Sequence, residues 1–134
     1  MPSGEVHAWN ILNRKPVIVR WDKGVITELT TTDKSPNQNK WIGPPLVDLQ
    51  INGFAGVDFQ QDKLSSEQLI HATSELENSG CNKFFFTLIT SEWELMIKRL
   101  SKAKQLRDRN TKLQKNIVGW HIEGPFLSTE NGYC

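Results

Sequence analysis

The chain has 134 residues, with 16 Lys and Arg against 15 Asp and Glu, for a formal net charge of +1. That length is enough for one domain with a real core. The near-even charge excludes the basic surplus of a nucleic-acid binder, and no apolar run approaches the ~18 residues of a membrane span.

The first ten residues contain no apolar segment of signal-peptide type, so a secreted product is not expected. Val17-Ile18-Val19 and Val25-Ile26-Thr27 are β-type runs separated by Asp22-Lys23-Gly24, a hairpin signal because Gly24 can take positive φ. Paired strands are therefore expected over 16–21 and 25–30, with a polar loop over 31–40. His7 in this leader and His71 further on read as surface residues. Two or three short strands cannot bury a core alone, so residues 1–40 must lean on something else.

From Trp41 the rhythm changes. Leu46 to Ile51 is an apolar run between Pro44-Pro45 and Asn52-Gly53, which predicts a buried strand. Ser65 with Gln68 has capping-box spacing, Leu69, Ala72, Thr73 and Leu76 recur at helical spacing, and Gly80 ends the helix. Lys83 to Ile89 is apolar without alternation, as a strand covered on both faces would be. Ser91 with Glu94 repeats the capping box. Trp93, Met96, Ile97, Leu100 and Ala103 predict the buried stripe of a second helix, to about Arg109. Its basic residues, from Lys98 to Arg109, read as a solvated face. Ile117 to Ile122 is the third strand. Residues 46–122 thus read strand–helix–strand–helix–strand, a parallel α/β pattern with right-handed crossovers. Three strands are too few to close a barrel and leave an edge open, so poor folding alone is expected. The two cysteines, Cys81 and Cys134, do not suggest a disulfide framework and fit a reducing cytoplasm.

In parallel α/β sheets ligands bind at the carboxyl ends of the strands, and the polar residues of this chain gather there. Glu123 follows an apolar strand and precedes Gly124-Pro125, which turns the chain away. Its carboxylate suits a divalent-metal ligand, or else caps a loop or pairs with a lysine. His121 shares its strand face and reads as a second ligand, a partner of the ligand, or a core histidine. Gln50 and Asn52 share a face of the first strand, and as amides they suit substrate contact or strand-end capping better than metal binding. Thr87 and Thr90 read as structural, and Gly53 and Gly56 as a turn. No Ser-His-Asp set, nucleophile elbow, Cys-x-x-Cys or Walker loop is present.

The blocks Pro45-Leu-Val-Asp-Leu-Gln-Ile-Asn-Gly53 with Gly56-Val-Asp-Phe59, Gly80-Cys81 with Thr87-Leu-Ile-Thr90, and Gly119-Trp-His-Ile-Glu-Gly-Pro-Phe-Leu127 together resemble N-acetylglucosamine-6-phosphate deacetylase, of the amidohydrolase superfamily. The resemblance runs from about Trp41 to Leu127, and its His-x-Glu-Gly-Pro block is the most specific part. It implies an α/β fold, the first part of a (β/α)8 TIM-type barrel over 41–134, preceded by a partial β-sandwich over 1–40. The implied reaction is hydrolysis of the acetamide of N-acetylglucosamine 6-phosphate, giving glucosamine 6-phosphate and acetate. The implied cofactor is one divalent metal bound by Glu123, zinc foremost, with iron or another divalent metal as alternatives. Where many amidohydrolases place His-x-His, this chain has Gln50 and Asn52, as in the branch that uses a single metal. The resemblance places the catalytic aspartate and two histidine ligands downstream of Cys134, with Gly132-Tyr133-Cys134 as the approach to a further motif. The chain then reads as an amino-terminal fragment, inactive alone, of a cytoplasmic enzyme acting on a small sugar phosphate and forming homo-oligomers at full length. An amidohydrolase acting on another amide, and a truncated non-catalytic remnant, are the alternatives.

Overall fold

The computed structural model describes residues 2–126. Expectations for Leu127, Gly132, Tyr133 and Cys134 fall outside those residues. The chain divides into two compact units, Met1–Pro44 and Pro45–Cys134.

In the first unit, β1 (Gly4–Asn10), β2 (Pro16–Asp22), β3 (Val25–Thr31) and β4 (Trp41–Ile42) form one sheet in the order β3-β2-β1-β4. The expected hairpin joins β2 to β3. Lys23 (φ 49°) and Gly24 (φ 84°) take the paired left-handed conformations that a two-residue turn of this hand needs. Strand alternation buries Ala8, Val17 and Val19. On β2, Arg20 bonds Glu5 of β1 at 2.6 Å and Glu28 of β3 on its other side. β1 and β4 join the two strands legible in the sequence. His7 departs from its surface reading: it lies in β1, an inner strand, and is half-buried. Its Nε2 is buried with no hydrogen-bond partner among the described residues.

In the second unit, β5 (Leu46–Ile51), β8 (Cys81–Leu88) and β9 (Ile117–Ile122) form a sheet in the order β5-β8-β9. Both pairings are parallel, as the crossovers predict. Between β5 and β8 lie the two-residue strands β6 (Gly53–Phe54) and β7 (Val57–Asp58), then helix α1 (Ser66–Asn78). Between β8 and β9 lie α2 (Trp93–Asp108) and α3 (Thr111–Asn116). The unit is a mixed α/β sheet, open among the described residues.

The start of α1 follows the sequence closely. Ser65 is the N-cap, and both halves of the capping box with Gln68 form. Gly80 follows the helix with φ 89°, and its N–H bonds the Glu77 carbonyl. Leu69, Ala72 and Leu76 bury against Phe84, Phe86 and Leu88 of β8, joined by Ala103, Leu113 and Ile117. Phe59 stacks on Phe86 with centroids 4.6 Å apart and planes 4° apart. Cys81 is buried with a free thiol.

Four further expectations need correction. The apolar run of β5 is not a buried strand, because only Ile51 is buried. Leu46, Val47 and Leu49 are 66%, 51% and 63% exposed. Among the described residues β5 has a strand neighbour, β8, on one side only, which the apolar run cannot reveal. On α2, Ser91 forms no capping box: Glu92 is the N-cap and makes no side-chain capping bond. The α2 stripe is also narrower than its spacing implied. Met96 and Ala103 are buried, while Trp93 and Ile97 are exposed. Its basic face is not wholly solvated either, since Arg99 and Arg107 are half-buried.

A polar knot ties the end of α1 to α3 and the start of β8. Glu77 accepts bonds from Lys112 Nζ and, at 2.8 Å, from Asn116 Nδ2. Asn116 Nδ2 also donates to the Asn82 carbonyl at 2.7 Å, and Asn116 is buried. The Lys112 bond first, then that of Asn116, hold the Glu77 carboxyl below the usual carboxylate range. A carboxyl lowered by folding adds stability above its ordinary pKa of ~4.3 and loses it as the pH falls through the lowered value. Acid titration followed by circular dichroism should therefore show a smaller loss of stability below that pH in Glu77→Gln than in the parent. An identical acid slope in the two proteins would contradict this role.

Candidate functional site at the carboxyl strand ends

The register brings the three strand ends to one edge of the sheet. Ile51 pairs with Phe86, Thr87 with His121, and Leu88 with Ile122. Beyond β5, the loop folds back as a small hairpin of β6 and β7. Ala55 (φ 49°) and Gly56 (φ 79°) form its turn. At Gly53 an added Cβ would lie 2.6 Å from the Val57 carbonyl oxygen, so the hairpin needs glycine there. The Phe59 N–H then donates to the Asn52 carbonyl at 3.0 Å, closing the loop.

Glu123 stands one residue beyond β9 and is half-buried. Its N–H donates to the Leu88 carbonyl at 2.9 Å, and its carbonyl accepts from Thr90 Oγ1 at 3.0 Å. Gly124 has φ 80°, and a Cβ there would overlap Thr90 Oγ1. Glycine at 124 therefore lets the chain turn off the strand against Thr90. His121 is half-buried, and its Nδ1 is buried without a partner among the described residues. His121 and Thr87, paired in register, share a sheet face.

Gln50 and Asn52 are exposed, and the Gln50 N–H donates to Asp48 Oδ1 at 2.9 Å. Asn52, Phe54, Asp58, Gln60 and Ile89 line a shallow cleft of about 550 Å³ at the ends of β5 and β8. Gln50, His121 and Glu123 are not among its lining residues. The strand ends thus bring the four residues singled out in the sequence to one edge, but only Asn52 to this cleft. A second cleft, of about 350 Å³, lies against α2 and is lined by Asp62, Lys98, Arg99 and Lys102 among others. There Arg99 Nε pairs with Asp62 Oδ1 at 3.0 Å.

One residue of the rim was not legible in the sequence. Gln60 Nε2 donates to the Thr87 carbonyl at 2.9 Å, and Gln60 Oε1 accepts from the Ile89 N–H at 3.2 Å. Nothing in the polar run from Gln60 to Lys63 sets it apart. Thr90, read as structural, bonds directly to the backbone of residue 123.

As a metal site the described residues are incomplete. No group of three or more His, Cys, Asp or Glu gathers among them. Glu123 fits the part of one ligand, being a half-buried carboxylate on a fixed backbone. Zinc takes four donors in structural sites and three protein donors in catalytic ones, more than the described residues gather at one place.

Polar groups massed at the carboxyl edge of a parallel sheet are the arrangement of α/β enzymes. No protein-family model matches the chain. It is 42% identical over 84 residues to N-acetylglucosamine-6-phosphate deacetylase of Haemophilus influenzae, a match covering 63% of this chain and 21% of that protein. It is 34% identical over 97 residues to the Caenorhabditis elegans enzyme of the same name, covering 69% and 23%. Among solved structures, N-acetylglucosamine-6-phosphate deacetylase of Thermotoga maritima superimposes with a TM-score of 0.72 at 23% identity. That superposition covers 95% of this chain and 34% of the other, and the likeness is one of fold. The chain spans about a fifth of the length of the curated relatives it matches. Over that shared stretch it is homologous to N-acetylglucosamine-6-phosphate deacetylases.

Proposed function

We propose that the protein carrying this chain hydrolyses the acetamide of N-acetylglucosamine 6-phosphate, giving glucosamine 6-phosphate and acetate. The observation that carries this reading is the half-buried Glu123, in the run His121-Ile122-Glu123-Gly124-Pro125, at the carboxyl edge of a parallel sheet. The names of the curated relatives support the same substrate. In this reading β5, β8 and β9 are the first strands of a (β/α)8 barrel. Residues 1–40 are part of a β-sandwich.

Glu123 supplies one ligand to a single divalent metal, zinc foremost, and the remaining ligands and the proton-shuttling aspartate lie outside this chain. Such an ion, when bound, lowers the pKa of water and polarises an amide carbonyl. Of this chain's residues, Asn52 and Gln50 offer amides that both donate to and accept from a sugar hydroxyl. His121 offers an imidazole on the strand that leads to Glu123. A cytoplasmic setting and a homo-oligomeric assembly belong to the same proposal.

The test is acetate release by the protein as its gene expresses it. Release from N-acetylglucosamine 6-phosphate is expected, lost on dialysis against a chelator and restored by zinc. Turnover of a cyclic amide with none of the sugar phosphate would overturn the reading in favour of another amidohydrolase.

A further inference from the structure

We propose that Gln60 and Thr90 are positioning residues that fix where Glu123 stands, a role that rests on the reading of Glu123 above. The parallel ladder between β5 and β8 has its last pair at Ile51 and Phe86. Beyond it, the backbone of β8 has no strand neighbour on that side among the described residues. Gln60 fills the gap with one side chain. Its carboxamide donates to the carbonyl of Thr87 and accepts from the N–H of Ile89, as an adjoining strand would. Gln60 is half-buried, and partial removal from water strengthens such bonds.

The stretch that Gln60 grips is the one that holds Glu123. The Leu88 carbonyl, between the two gripped groups, accepts the Glu123 N–H at 2.9 Å. Thr90, one residue past Ile89, donates its hydroxyl to the Glu123 carbonyl at 3.0 Å. Residue 123 is therefore held at both backbone polar groups from residues 88–90. Those residues are in turn braced by the loop that follows β5. Gly124 leaves no room for a Cβ beside Thr90, so the turn after Glu123 also rests on that side chain. Neither Gln60 nor Thr90 needs to touch substrate. A working ligand must be held within about 0.5 Å of its productive place.

The test uses the protein as its gene expresses it, with Gln60→Leu, Thr90→Val and Thr90→Ser. Amide hydrogen exchange is read at Ile89, Glu123 and Leu69, and kcat and KM are read for acetate release. Gln60→Leu is expected to speed exchange at Ile89 and Glu123 while leaving Leu69, in the α1 core, unchanged. Loss of a partner that orients a ligand commonly costs ~10–100-fold in activity, so kcat should fall by that order with KM nearly unchanged. Thr90→Val should lower kcat in the same way, and Thr90→Ser, which keeps the hydroxyl, should restore it. Native exchange at Glu123 with native kcat in Gln60→Leu would overturn the proposal. So would exchange rising equally at Leu69, which marks a merely structural role. If the parent releases no acetate yet Glu123 exchange still follows Gln60, the function proposed above fails while the brace stands.

Discussion

Phe86→Ala is expected to destabilise the second unit by ~3–5 kcal/mol, the range for removing a buried phenylalanine. Phe86 is 0% exposed. Its ring stacks on Phe59 at 4.6 Å and meets the edge of Trp120 at 5.7 Å. The substitution removes both aromatic contacts and leaves a cavity between the sheet and α1, which a close-packed interior fills only in part. For a unit of this size each kcal/mol is worth roughly 4–8 °C of melting temperature, so the melt should move down by at least about 12 °C. His71→Ala, on the exposed side of α1, is expected to stay within ~0.5 kcal/mol. A thermal or urea melt of the two variants beside the parent checks this. Similar losses in both would mean that the aromatic stack is not the centre of the core.

With Glu123 a metal ligand as proposed, Glu123→Gln is expected to lower kcat for acetate release by at least about 100-fold while leaving the melt unchanged, because it removes a charged donor and almost no volume. Glutamine keeps the backbone, so the bonds to Leu88 and Thr90 persist. Amides are poor ligands for divalent metals, so the loss is one of charge and affinity rather than of shape. A substitution that slowed turnover in step with a fall in melting temperature would instead mark residue 123 as a strand-end prop. Full activity in Glu123→Gln would remove the residue from the chemistry altogether.

The parts of the fold legible in the sequence are those written in local signals. The capping box of Ser65 and Gln68, the turn at Lys23-Gly24 and the strand of Ile117–Ile122 all lie within a few residues of their cause. What the sequence hid depends on partners distant along the chain. The run of β5 looks buried because it is apolar, yet burial depends on neighbours, and among the described residues β5 has a strand on one side only. Helix α3 is six residues long and runs directly into β9, so no break announces it. The strand-end position of Glu123 was legible because Gly-Pro after an apolar strand marks a turn there. The grip of Gln60 was not, since its partners lie 27 and 29 residues further on. An exposed edge residue such as Leu49, 63% exposed, likewise carries no local sign of its environment.

The most direct measurement is an anomalous-scattering map of crystals of the expressed protein grown with zinc. A metal peak at about 2.0–2.2 Å from a Glu123 carboxylate oxygen is the predicted result. A Glu123 side chain turned into bulk water, with no metal bound to it, would contradict the assignment of this strand end as the reactive one.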